Sequence, residues 1–221
     1  MSNVLIIGAS RGIGWELARQ YAEAGDRVIA TAREDAALER LRKLGAQALR
    51  VDVADPASVS GLAWQLDGEK IDTALYVAGV TSHGDATQPP TREAFDAVMH
   101  ANVLGAMQVI PQVAPSLAPG GRFGFMSSIM GRIDGVEGSR AWVYRVSKAA
   151  LNMAVVSAQG AWPDAILVCL HPGWVQTDMG GASAPVTLED SATGLRRVMA
   201  GLTARDRGAF LQYDGTRLPT W

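Results

Sequence analysis

Seven short apolar runs, each parted from the next by a longer stretch with helical spacing, set the tightest limit on how this chain folds. The runs at 4–7, 27–31, 47–51, 72–77, 122–127, 165–170 and 209–212 read as strands. Several are unbroken Val, Ile and Leu, which suits strands covered on both faces, as in a parallel sheet. The spans 12–24, 34–44, 56–67, 91–117, 141–160 and 187–203 read as helices. Gly25 and Gly45 stop the first two, and Asp55-Pro56 opens the third with a cap and a first-turn proline. Such alternation predicts an α/β doubly wound parallel sheet with helices on both faces. The segment 178–188 is rich in Gly, Ala and Ser and reads as a mobile loop.

Composition then removes several classes of function. The 20 Lys and Arg are scattered against 22 Asp and Glu, for a formal net charge of −2, so a nucleic-acid partner is not expected. The single cysteine, Cys169, lies in an apolar run and reads as an inert core thiol. His83, His100 and His171 are far apart and lack metal-ligand spacing, so no metal is expected and satisfied structural histidines are. His83, after the fourth strand, is placed toward the substrate crevice. No Gly-x-Ser-x-Gly elbow marks a hydrolase. No apolar stretch approaches a membrane span, and the start lacks a basic n-region, so a cytoplasmic protein is expected.

The first strand runs directly into Gly8-Ala-Ser10-Arg11-Gly12-Ile13-Gly14 and then an amphipathic helix. Glycines there let the backbone approach a diphosphate, while the helix start offers free N–H groups and a positive dipole end. The Gly-Lys-Ser/Thr ending of a P-loop is missing. The second strand ends at Arg33, where an acid would hold the ribose 2′-hydroxyl of NAD. Arg11 and Arg33 instead suit a 2′-phosphate gripped bidentately, which favours NADP(H) over NAD(H). The plainer alternative is two solvated surface arginines.

Further along, Tyr144-Arg-Val-Ser-Lys148 sets a phenol and an ammonium four residues apart on one helix face. A nearby cation favours phenolate and would lower the tyrosine pKa toward a range useful for acid–base work.

In these pieces taken together, the chain resembles the classical short-chain dehydrogenase/reductase family over nearly its whole length. The resemblance rests on Gly8-x-x-x-Gly12-x-Gly14, Asp52-Val53, Ala78-Gly79, Asn102-Val-Leu-Gly105, Ser127-Ser128, Tyr144-x-x-x-Lys148 and Pro172-Gly173. The segments from Tyr144 to Met153, His171 to Met179 and Tyr213 to Trp221 are similar to the C-factor and sniffer-type carbonyl reductase branch.

The resemblance implies a single Rossmann-type domain over 1–221, with a cofactor half at about 1–80 and a catalytic and substrate half at about 81–221. The implied strand order is 3-2-1-4-5-6-7. It implies an NADPH-dependent oxidoreductase that reduces an aldehyde or ketone to an alcohol, or the reverse. Tyr144 would donate the proton, Lys148 would hold the nicotinamide ribose, and Ser128 would stabilise the developing oxyanion. Asn102 would hold a water linking Lys148 to solvent. Ser127, on the alternate face, is the other candidate for the serine role. Asp52 and Val53 would meet the adenine, with Ala78 and Gly79 beside the cofactor. Pro172, Gly173, Val175 and Thr177 would line the nicotinamide side.

Two departures from the family pattern stand out. Val77 replaces the usual Asn before Ala78-Gly79, which questions local sheet geometry. The stretch from Ser128 to Tyr144 is also long, which predicts a longer loop over the site. Trp142, Trp174, Ile129, Met130 and Met179 read equally as packing residues or as an apolar wall for a hydrophobic carbonyl substrate. The family resemblance is compatible with a dimer or tetramer. The alternative function, from the C-factor likeness, is a dinucleotide-sensing signalling protein with little or no turnover.

Overall fold

Both faces of the inner strands are buried, which is why their sequences run apolar without a break. A computed structural model describes residues 1–219 and 221. Its strands are β1 (Asn3–Ile7), β2 (Arg27–Ala32), β3 (Gln47–Arg50), β4 (Ile71–Tyr76), β5 (Leu117–Met126), β6 (Ile166–His171) and β7 (Phe210–Gln212). They form one sheet in the order β3-β2-β1-β4-β5-β6-β7, as expected, and every adjacent pair is parallel. Side chains alternate between two cores. Val4 and Ile6 join one with Leu17, Leu38 and Leu195, while Leu5 and Ile7 join the other with Tyr76, Phe125 and Leu151. Cys169 is buried in the second core, where the apolar surroundings push its thiol pKa up.

The helices are α1 (Gly12–Glu23), α2 (Asp35–Lys43), α3 (Pro56–Ser60), α4 (Leu62–Gln65), α5 (Arg92–Met99), α6 (Gly105–Val113), α7 (Trp142–Gln159) and α8 (Leu188–Gly201). Asp55 accepts the Ala57 N–H at 3.0 Å ahead of Pro56, the cap expected from sequence.

Two expected helices are divided. The span 56–67 breaks at Gly61, a poor helix former, into α3 and α4. The span 91–117 runs as α5, a wide π turn (His100–Leu104), α6 with Pro111 inside it, and a 3₁₀ turn (Ala114–Ser116). β5 begins at Leu117, earlier than expected, and an irregularity between Ile71 and Thr73 absorbs the extra length. No helix among the described residues is long and apolar enough to cross a membrane.

Candidate active site

All the chemistry-bearing segments leave the carboxyl edge of the sheet, around a cleft of about 850 Å³. At the end of β1 the chain turns at Gly8, where φ is +92° and a Cβ would lie 2.6 Å from the Ala78 nitrogen. A Cβ at Gly14 would lie 2.1 Å from the Gly8 carbonyl oxygen, so only glycine lets α1 sit this close to the strand. Thr31 braces the turn, its hydroxyl accepting from Gly8 N at 3.0 Å and its carbonyl from Ala9 N at 2.8 Å.

The start of α1 is open. Arg11 supplies no side-chain cap, the first turn carries no acid, and the N–H groups of Gly12, Ile13 and Gly14 have no protein acceptor among the described residues. Unsatisfied donors at a positive dipole end fit a diphosphate.

The arginines expected to read a 2′-phosphate both border this cleft. Arg33 lies 3.8 Å from Asp52, and Arg11 lies 2.8 Å from Asp178. Arg50 holds the Arg33 carbonyl and Asp35. Arg40, not singled out from sequence, donates to the Ser10 carbonyl at 2.6 Å while stacking on Trp15. Asp52 is fixed by its own N–H to the Ser58 hydroxyl at 2.9 Å. Where the family carries Asn, Val77 packs against the α1 and α8 side of the sheet. Its N–H and that of Ala78 both reach the Ile7 carbonyl, at 2.8 and 3.0 Å, so the strand end keeps its hydrogen bonds without the amide.

α7 carries the phenol and the ammonium. It starts at Ala141, a left-handed residue with φ of +56°, whose N–H donates to the Gly84 carbonyl at 2.8 Å. One turn on, the Tyr144 N–H donates to the Ser82 hydroxyl at 3.1 Å. The helix head is thereby tied to the loop after β4.

Burial pushes the Tyr144 phenol pKa up, opposed by a hydrogen bond with the Ser128 hydroxyl. Lys148 is buried, donates to the Met126 carbonyl at 2.8 Å, and is pulled down to about 8 by desolvation. The expected lowering of the phenol by the neighbouring cation is therefore not what this arrangement shows. The ammonium is spent on Met126, 5.5 Å from the Tyr144 ring centre, and desolvation dominates both groups.

The two adjacent serines have different partners. Ser127 borders the cleft but donates its hydroxyl to Asn152 Oδ1 at 2.5 Å. Ser128, beside Tyr144, also accepts the Met130 N–H at 3.1 Å.

Asn102 sits in the π turn, fully buried. Its Oδ1 accepts from Val80 N at 2.8 Å, and its Nδ2 donates to the Val80 carbonyl and the Ser147 hydroxyl, both at 2.9 Å. Ser147 passes the contact on by donating to the Tyr144 carbonyl at 2.7 Å. A Cβ at Gly79 would fall 3.0 Å from Asn102 Oδ1 and 3.5 Å from Lys148 Nζ, so the glycine leaves the space between those two groups open.

The cleft walls include Gly8, Ser10, Arg11, Gly12, Ile13, Gly14, Arg33, Asp52, Val53, Ala78, Gly79, Ser127, Tyr144, Lys148, Pro172 and Thr177, all singled out from sequence. Asn102, Ser128, Gly173 and Val175 stand behind the wall. Gly173 packs on Tyr213 and Val186, and Val175 bridges to Val186. Of the five residues weighed as an apolar wall, only Met179 borders the cleft, joined there by Val80 and Leu188. Trp174 caps its own loop by donating to the Gly180 carbonyl at 2.7 Å.

His83 is exposed and does not border the cleft. His171, expected to be a satisfied core residue, is buried with no partner for Nδ1 among the described residues. Desolvation pulls it down to about 4. Missed altogether were Ser147, Asn152 and the Asp178 partner of Arg11; only Ser147, next to Lys148, carried a local signal.

Comparisons with known proteins agree with this geometry. A family model described as enoyl-(acyl carrier protein) reductase matches residues 8–200. The 1-hydroxy-2-glutathionyl-2-methyl-3-butene dehydrogenase of a Rhodococcus species is 33% identical over 99% of both chains. The C-signal of Myxococcus xanthus is 43% identical over 53% of this chain and 74% of that protein. Among solved structures, the carbonyl reductase Sniffer of D. melanogaster superposes with a TM-score of 0.90 at 28% identity, covering 100% of both chains. A short-chain dehydrogenase/reductase from Burkholderia multivorans with bound NADP gives 0.88 at 30%, covering 100% of this chain and 99% of that one. A carbonyl reductase from Pseudomonas aeruginosa in complex with NADP gives 0.84 at 31%, covering 100% of both. With its sheet order, its open glycine turn and matches over this length, the chain belongs to the short-chain dehydrogenase/reductase family and is an oxidoreductase of that type.

Proposed function

We propose that this oxidoreductase takes NADP(H) in preference to NAD(H) and interconverts a small, apolar aldehyde or ketone with its alcohol. The observation that carries the reading is Tyr144 beside a buried Lys148 in the same cleft as the open first turn of α1, with the Ser128 hydroxyl against the phenol from behind the cleft wall. NADP in two similar structures supports the cofactor, and two similar carbonyl reductases support the reaction. The apolar side chains of Val80, Met179 and Leu188 support an apolar substrate.

Each residue then has a task. Gly12, Ile13 and Gly14 donate to the diphosphate through their N–H groups, with Gly8 and Ser10 shaping the turn. Arg11 and Arg33 hold the 2′-phosphate, and Asp52 and Val53 face the adenine. Ala78, Gly79, Pro172, Gly173, Val175 and Thr177 frame the nicotinamide side. The bound nicotinamide supplies or accepts a hydride; the proton belongs to the protein. Tyr144, raised by burial and so protonated at neutral pH, gives its proton to the carbonyl oxygen as negative charge grows there. Ser128 donates a hydrogen bond to the same oxygen. Lys148 would hold the ribose, and Asn102 borders the space beside Gly79, where a water would link Lys148 to solvent for reprotonation. We place the protein in the cytoplasm as one domain, its cofactor half at about 1–80 and its catalytic half at about 81–221.

The test is NADPH oxidation over a panel of aldehydes, ketones and quinones, with Tyr144→Phe alongside. A turnover that Tyr144→Phe lowers by roughly 10²- to 10⁴-fold is expected.

A second reading is favoured by the 43% match to C-signal: a dinucleotide-binding signalling protein with little turnover. Equal, near-zero oxidation by both proteins, with dinucleotide binding intact, would decide for it.

A further inference from the structure

The guanidinium that would grip the 2′-phosphate from the glycine turn is held by a carboxylate on the far side of the cleft. Arg11 Nη1 lies 2.8 Å from Asp178 Oδ2, across 167 residues of sequence, and both side chains are 76% exposed. Both residues line the cleft. Neither side chain makes another hydrogen bond among the described residues, so each is the other's sole polar partner.

Asp178 is not on a loose strap. The segment between β6 and α8 is braced by Gly180 N to the Thr177 hydroxyl at 2.9 Å, Gly181 N to the Thr177 carbonyl at 2.8 Å and Gln176 N to the Val186 carbonyl at 2.9 Å. It also runs beside the glycine turn next to the ion pair, where a Cβ added at Gly12 would lie 3.7 Å from Thr177 Cγ2. The backbone on both sides of Asp178 is therefore held, and the carboxylate reaches Arg11 from a braced segment.

We propose that Asp178 is a specificity-determining residue for the cofactor, competing with the 2′-phosphate for Arg11 and so restraining the preference for NADPH over NADH. The inference rests on the NADP(H) reading above. A phosphate monoester carries about −1.5 to −2 charges at neutral pH and is a strong fork acceptor for arginine. To engage it, Arg11 gives up the Asp178 carboxylate. NADH has a ribose hydroxyl at that position, asks nothing of Arg11 and leaves the pair intact. The cost of breaking the pair is thus borne by one cofactor alone. Arg33 and Asp52, 3.8 Å apart, form a looser pair at the other arginine. Because the Arg11 pair is exposed and screened, its weight on selectivity is modest.

Direct calorimetric titration with NADPH and with NADH measures this without turnover. Asp178→Ala should tighten NADPH binding by about two- to fivefold, the scale of an exposed ion pair, and leave NADH binding unchanged. In an Arg11→Ala background the same substitution should move neither Kd. An unchanged or weaker NADPH Kd, an equal shift for both cofactors, or an effect that persists without Arg11 each overturns the proposal. Arg11→Ala and Arg33→Ala are titrated in parallel. A wild-type NADPH/NADH ratio in both removes the 2′-phosphate assignment, and Asp178 falls with it. A lowered ratio in them with no response to Asp178→Ala overturns the role of Asp178 alone.

Discussion

Desolvation moves Tyr144 and Lys148 away from charge together, the phenol upward and the ammonium down to about 8. In the protein by itself the pair thus leans toward a protonated tyrosine, the form that donates. His171 shows the same force without a functional demand on it. Its pKa is held at about 4 against an ordinary 6.5, with Asp214 pulling weakly the other way. A base depressed on folding is protonated first in the unfolded chain, so stability falls as pH drops from 6.5 toward 4 and is flat above that window. His171→Leu should remove that acid-side loss, a gain of about 1–3 kcal/mol at pH 4 relative to neutral pH. Denaturant titrations of both proteins at several pH values check it; a parallel decline in the two would sink the idea. Tyr144 and Lys148 were legible in sequence because helical spacing alone juxtaposes them. That the His171 Nδ1 finds no partner among the described residues was not, because whether a buried imidazole finds one depends on residues that only the fold brings near.

At the scale of elements, the π turn at His100–Leu104 takes an asparagine that an ordinary helix tolerates poorly and seats it against α7 and the loop after β4. Ser147 is the joint, accepting from Asn102 and donating to the Tyr144 carbonyl. Ser147→Ala leaves one Asn102 N–H without its acceptor and should cost about 1–2 kcal/mol of stability. It should lower kcat more than it raises KM for the dinucleotide, because the open turn of α1 is untouched. Urea unfolding together with steady-state kinetics tests both halves, and a change in KM alone would contradict the assignment. The strands were readable because two buried faces erase the polar half of the usual alternation. The π turn was not, since one added residue in a helical turn leaves the apolar spacing on either side nearly unchanged.

For the molecule as a whole, one parallel sheet puts its cofactor turn, its two hydroxyls and its lysine on a single edge, drawn from β1, β5 and α7. Ligand binding at that edge should therefore stabilise the whole sheet. NADPH at 100 times its Kd should contribute about 2.7 kcal/mol, equivalent to a rise of roughly 5–10 °C in Tm for a chain of this size. Thermal melts at rising NADPH and NADH check it, with the larger shift expected for NADPH at equal concentration. No shift with either would contradict dinucleotide binding. Sequence alone supported this architecture and most of the cleft wall. It missed the cross-cleft pair of Arg11 with Asp178, because nothing local links partners 167 residues apart.

The two hydrogen bonds that tie Ala141 and Tyr144 to Gly84 and Ser82 bear on how this protein could be re-engineered. The loop after β4 lends Val80 to the cleft wall, and it also sets where α7 begins. A transplanted loop of another length would drag the phenol with it. Segments 80–90 and 139–148 are therefore best exchanged together, since a library that varies the first and freezes the second shifts the helix that carries Tyr144.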